Sequence, residues 1–206
     1  MAIEQLLFYF IIVVPSAIFH EYAHGIAAKE LGDTTAEDAG RLTLNPIAHI
    51  DPFGTILLPV LLMVGSGGSF LFAYAKPVPY NPNNLRNPKW GSALVGIAGP
   101  LSNILLAVVF AIIMRIVVVN EAMMSFFVTI IIANIALAVF NMVPIPPLDG
   151  SKLLYALFPH HYRLQETLDR YGMYVLLFFV FFGGRLIGGV IRTVAGLLLP
   201  QEMLSF

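Results

Sequence analysis

At 206 residues, with 58% hydrophobic and 11% charged side chains, the chain lies far from soluble domains, in which about a quarter of residues are charged. It reads as a single integral membrane domain over residues 1–206, a multi-pass protein of the lipid bilayer. A formal net charge of −1 with no basic stretch gives no argument for nucleic-acid binding, and zero cysteines exclude disulfides and thiolate metal ligands, leaving His, Asp, Glu or water for any metal.

The first predicted helix covers about residues 4 to 30. Between residues 5 and 19 only Gln5, Pro15 and Ser16 fall outside the hydrophobic set. Glu4 and the lack of Lys or Arg before the apolar run argue for a retained helix rather than a signal peptide. Near its end comes His20-Glu21-Tyr22-Ala23-His24, an HExxH motif. On a helix the two histidines project from one face, one turn apart, where two imidazole nitrogens can hold one zinc ion, and Glu21 can take a proton from water beside it. Two histidines and a carboxylate inside an apolar helix are costly unless each has a partner. The plainer alternative is three polar groups facing a water-filled cleft. At about 1.5 Å per residue, Gln5 to His20 covers roughly 22 Å of a core about 30 Å thick, so the motif lies nearer the helix's exit face.

Residues 33–51 are polar and irregular. His49 and Asp51 form a loop HxD, most simply a hydrogen-bonded turn. Phe53 to Val64 is apolar but short for a span and fits a re-entrant or interfacial segment. Residues 70–80 are rich in aromatics, and two prolines restrict them to an edge strand or a lip at the membrane surface.

A second span is predicted from about Trp90 to Val119, with Gly96, Gly99-Pro100 and Ser102-Asn103 allowing close helix approach. Asn103 is expected in an interhelical hydrogen bond. The third span, about Ala122 to Val143, runs into Asn141-Met142-Val143-Pro144-Ile145-Pro146-Pro147-Leu148-Asp149-Gly150, where the prolines must break the helix. Residues 151–170 are polar and amphipathic, and their His160-His161 pair is assigned no role. Residues 171–199 give one span plus a terminal helix, or two short spans. The core is thus residues 4–150, with accessory C-terminal helices over 151–206.

An open catalytic zinc takes three protein ligands and a water. Asp149, after the broken helix and beside Gly150, is the best third ligand, with Asp51 as fallback. His20, His24 and Asp149 can share one ion only if the first and third spans run parallel, so the 53–64 segment should not cross. Residues 29–89 and 150–170 would then share one side with Lys29, Arg41, Lys76, Arg86, Lys89, Lys152, Arg163 and Arg170, eight of the eleven basic residues. The positive-inside rule puts that side, and the site, toward the cytoplasm.

HEYAH in the first helix, Gly99-Pro100-Leu101-Ser102-Asn103 in a later one and the Asn141 to Gly150 stretch closely resemble the site-2 protease family of intramembrane zinc metalloproteases (peptidase family M50). The match is to its small prokaryotic branch, without PDZ or CBS domains, and it covers the three core helices. The resemblance implies an all-α polytopic membrane protein: a three-helix catalytic core, C-terminal helices, a re-entrant or interfacial segment and a short edge strand near the site. It implies one Zn2+ per chain on His20, His24 and Asp149, with Glu21 as general base. Asn141 would contact substrate or help stabilise the oxyanion, and Phe72 and Tyr74 would lie on the strand that receives an unwound transmembrane protein substrate. Two other classes compete: an ion or metal transporter, which predicts polar groups spaced through several helices, and an inactive scaffold binding transmembrane helices, which would tend to lose the base or a ligand.

Overall fold

The computed structural model describes residues 8–65, 76–118 and 120–203. Three helices are long and apolar enough to cross a membrane: Phe10–Glu30, Pro88–Ile116 and Glu121–Asn141. The first is a π-helical turn, Tyr9–Val13, running into helix α1, Val14–Glu30. After π-helical Pro52–Leu57 comes α2, Leu58–Gly65. The two long spans that follow are α3, Pro88–Ile116, and α4, Glu121–Asn141. The C-terminal part holds α5, Gly150–Leu157; α6, Tyr162–Phe182; and α7, Gly184–Leu198. Among the described residues there is no strand, and the protein is an all-α polytopic membrane protein, as expected.

The spans begin and end where local chemistry dictates. Asn87 caps α3 by accepting from the Trp90 N–H at 3.1 Å, with Pro88 in the first turn, where a missing N–H costs nothing. Asn120 caps α4 through the Met123 N–H at 2.9 Å. Helix α4 stops at Asn141, just ahead of Pro144, Pro146 and Pro147, which cannot extend its ladder. Small residues set the spacing: Ala107 and Ala111 of α3 pack with Ile131 and Ile135 of α4 and Ala195 of α7 in the main apolar core.

Cross-helix contacts give the directions. Ser16 of α1 meets Asn134 of α4, and further along, His20 and His24 meet Asp149 beyond the end of α4. Helices α1 and α4 therefore run parallel. Along the same path Asn103, then Val95, of α3 contact Ser16, His20 and His24, so α3 runs antiparallel. The six π-helical and eight α-helical residues of 52–65 reach roughly 21 Å, short of a core about 30 Å thick. The chain also returns to the end it left: the Lys76 N–H donates to the His49 carbonyl at 2.9 Å, and Arg41 donates to the Lys76 carbonyl at 2.7 Å. The 53–64 segment does not cross.

The C-terminal question is decided by contacts. Tyr155 donates to Asp169 at the site's end of the bundle, whereas Arg115 at the far end of α3 donates to the Leu198 carbonyl. Helices α6 and α7, bent by 73° at Gly183, carry the chain across once as a broken span.

A polar latch closes the site's end. Gly32, at φ +108°, turns the chain out of α1, and the buried Asp33 carboxylate accepts from the Thr35 and Asn81 backbone N–H groups, the Thr35 hydroxyl and the Asn84 amide. Burial alone would raise the Asp33 pKa, but these bonds outweigh it and hold the carboxyl below its ordinary value. Its stabilisation is therefore full above the unfolded pKa of about 3.9 and lost as pH falls through the lower folded value. Asp33→Ala is expected to cost about 2 kcal/mol at neutral pH, read as a drop in unfolding midpoint in detergent. The difference from wild type should shrink at about pH 3; an equal deficit at both pH values would contradict the role of the carboxylate.

Candidate metal centre

Helix α1 delivers His20 and His24 to one face, buried, with ring centroids 4.6 Å apart and planes at 90°. The loop after α4 brings buried Asp149 to the same point. Its Oδ2 lies 3.0 Å from His20 Nε2 and 3.1 Å from His24 Nε2, and the three ligand atoms all lie within 4.8 Å of one another. A tetrahedral zinc with legs of about 2.0–2.1 Å separates its ligand atoms by roughly 3.3 Å, close to the two separations between Asp149 Oδ2 and the histidine nitrogens.

The far side of each imidazole settles which nitrogen faces the metal position. His24 Nδ1–H donates to the Val95 carbonyl at 2.6 Å, and a carbonyl can only accept. The Asn103 amide nitrogen donates to the Ser16 carbonyl and to Asn134 Oδ1, which turns its oxygen toward His20 Nδ1 at 2.7 Å. Asn134 is itself held by Ser16 Oγ at 3.0 Å and the Ile130 carbonyl at 2.9 Å. Both histidines thus carry their proton on Nδ1 and present the Nε2 lone pair inward. Two bare nitrogen lone pairs and a carboxylate oxygen this close repel unless a cation or a proton lies between them. Asn103 makes the expected interhelical bond and through it also orients a candidate ligand; Asn134 carried no sequence signal beyond being a polar residue in an apolar span.

Gly99 makes the room. A Cβ built there would lie 2.5 Å from His24 Nε2 and 2.6 Å from His20 Nε2, against the candidate ligand atoms.

Glu21, half-buried on the next position of α1, accepts from the Val78 backbone N–H at 2.8 Å through Oε2. Pro77 and Pro79 flank Val78 and have no N–H, so Val78 holds the one donor of that tripeptide. Val78 is buried while both prolines are exposed, and the residues preceding each proline are biased toward extended backbone. The 76–80 stretch lies over the motif as a non-helical strap. Phe72 and Tyr74, expected on an edge strand, lie outside the described residues.

The remaining candidates are placed elsewhere. The Asn141 amide donates back to the Leu137 carbonyl at 3.0 Å, within its own helix. His49 is buried with Nε2 on the Thr43 carbonyl at 2.7 Å, and Asp51 caps the Gly54 N–H at 2.6 Å. Both belong to turns, and the fallback ligand Asp51 is committed to one.

Three membrane-length helices around an HExxH pair and a distant aspartate define an integral membrane protein with a metallopeptidase-type centre. Comparison with known sequences agrees. The profile of peptidase family M50 matches residues 113–183. The chain is 38% identical over 177 residues, 81% of its length and 77% of the other's, to "Putative zinc metalloprotease YwhC" of Bacillus subtilis (strain 168). It is 30% identical to "Putative zinc metalloprotease Rip2" of Mycolicibacterium smegmatis over 70% of the chain and 54% of that protein. It is also 30% identical to "Putative zinc metalloprotease MJ0611" of Methanocaldococcus jannaschii, over 66% and 63%. The chain thus spans less than two thirds of the length of these last two relatives. No solved structure matches. The chain belongs to peptidase family M50: it is a membrane metalloprotease, and its cofactor is zinc.

Proposed function

We propose that the protein hydrolyses peptide bonds in or near transmembrane segments of membrane-protein substrates, with His20, His24 and Asp149 as zinc ligands and Glu21 as general base. The observation that carries this reading is the position of the ligand group. It lies inside the apolar span Phe10–Glu30, enclosed by α1, α3 and the broken end of α4. An apolar cavity of about 700 Å³ adds support. It is lined by Pro100 and Ile104 of α3, Met142 and Pro144 beyond α4, and Ile187 and Val190 of α7. It gives the bundle an apolar recess within the bilayer on the face of α3 next to the one that carries Gly99 and Asn103.

Zinc supplies there the acidification of a water, toward a pKa of about 7, and polarisation of a carbonyl. The rest is done by the chain. Asn103 and the Val95 carbonyl fix the imidazoles with Nε2 inward. The Val78 N–H holds one Glu21 oxygen, which limits the freedom of a carboxylate next in sequence to His20. Glu21 takes the proton of the attacking water and passes it to the departing amide nitrogen. Burial of the centre among helices limits competing water.

The eight basic residues expected on the site's side support a cytoplasm-facing site. Leu31 meets Arg86, Arg41 meets Lys76, and Lys152 approaches Tyr80 at that one end of the bundle. The domain is read as a single unit with lipid and a transmembrane protein as its partners.

The test is reconstitution in liposomes with single-span peptides tagged at both ends, product masses locating the cut. Cleavage within or a few residues beyond the apolar span, lost on zinc chelation and restored by zinc, is the expected result. Cuts confined to water-exposed tails far from the span would overturn the reading.

A further inference from the structure

The two oxygens of Asp149 are not equivalent. Oδ2 faces both histidine Nε2 atoms, whereas Oδ1 accepts from Lys152 Nζ at 2.9 Å, one turn along α5. The lysine is constrained along its length. Its stem crosses α3 at Gly96, where an added Cβ would lie 3.0 Å from Lys152 Cδ and 3.0 Å from the Asp149 carbonyl oxygen. Its ammonium lies 5.1 Å from the Tyr80 ring centroid, within cation–π range. Its side chain is 25% exposed, so this is no freely solvated surface lysine.

A carboxylate can meet zinc through one oxygen or two. A charge-assisted hydrogen bond to Oδ1 draws that oxygen toward Lys152 and away from the histidines, which favours Oδ2 for the metal. We infer that Lys152 is a positioning residue that confines Asp149 to one-oxygen ligation, so that the fourth position stays open for water or substrate carbonyl. This rests on the metal centre proposed above. Tyr80 ties the device to the strap: the segment whose Val78 N–H holds Glu21 also holds, two residues on, the ring beside Lys152.

The experiment uses the full chain in detergent, loaded with cobalt(II) in place of zinc, and reads visible d–d absorption, which is intense for four-coordinate cobalt and weaker when a fifth ligand joins. Lys152→Met removes the hydrogen bond and keeps an apolar stem of similar length. Its spectrum is expected to lose intensity as the second oxygen joins the metal, and cleavage to fall about 10–100-fold. Lys152→Arg, which restores a charged donor, should return the spectrum toward wild type, a rescue that a packing role for the stem alone does not require. If Lys152→Met fails to take up one cobalt per chain, Lys152→Leu, which also has no donor, is compared with Lys152→Arg in the same assay. A spectrum in the neutral variants equal to that of wild type would overturn the inference while leaving the metal centre intact. Wild type binding no cobalt would overturn the metal centre itself, before any variant is made.

Discussion

Glu21→Gln is expected to abolish cleavage while leaving zinc bound. The substitution is nearly isosteric, and the glutamine oxygen can still accept from the Val78 N–H, which in the native chain donates to Glu21 Oε2 at 2.8 Å. The strap over residues 76–80 therefore has no reason to leave. Neither His20 nor His24 depends on Glu21 for orientation, since their Nδ1 atoms are fixed by Asn103 and the Val95 carbonyl. What is lost is the capacity to take a proton from water and return it to a leaving nitrogen, a contribution of about 10²–10⁴ in rate. Initial cleavage rates in liposomes, measured beside zinc per chain by atomic emission, separate the two effects. Cleavage within tenfold of wild type with zinc in place would remove Glu21 from the role of base; loss of zinc as well would mean that it acts on the metal.

The second large effect is expected from a methyl group. In Gly99→Ala the new Cβ would stand 2.5 Å from His24 Nε2 and Cε1 and 2.6 Å from His20 Nε2, closer than any carbon contact allows. The imidazoles must swing away, breaking the Nδ1 bonds that aim them, or the metal position fills with carbon. Alanine is intrinsically better than glycine in a helix by about 1 kcal/mol, so α3 itself is not weakened. Zinc should fall from about one per chain toward none, and activity with it. Gly188→Ala, where an added Cβ meets nothing within 4 Å, is the matched control and should keep both. Full zinc occupancy in Gly99→Ala would show that the ion sits elsewhere than between His20, His24 and Asp149.

Much of the centre was legible in the chain because it is written in local spacing and in costs that only a membrane imposes. His20 and His24 share a face by helix periodicity alone. Asp149 stood out because three prolines end α4 just before it and free backbone groups that need a polar site. Even the parallel course of α1 and α4 followed from requiring His20 and Asp149, 129 residues apart, to share one depth. Asn141 stood out equally in the same stretch, yet its amide turns back on the Leu137 carbonyl. A side-chain rotamer at a helix end is chosen by neighbours, not by the motif that contains it.

The amino-acid sequence by itself determined the three long spans, the shortness of the apolar 53–64 segment, the absence of thiolate ligands and the two histidines with their neighbouring carboxylate. Each follows from hydropathy, composition or periodicity, which act within a few turns of chain. Only the tertiary structure decided that Asn103 and Asn134 orient His20, that Gly99 lies directly against both histidine rings, that Val78 donates its N–H to Glu21, and that Lys152 takes one oxygen of Asp149. Those are meetings between faces of different helices, and which faces meet is set by packing across the whole bundle, a condition that no stretch of sequence carries alone.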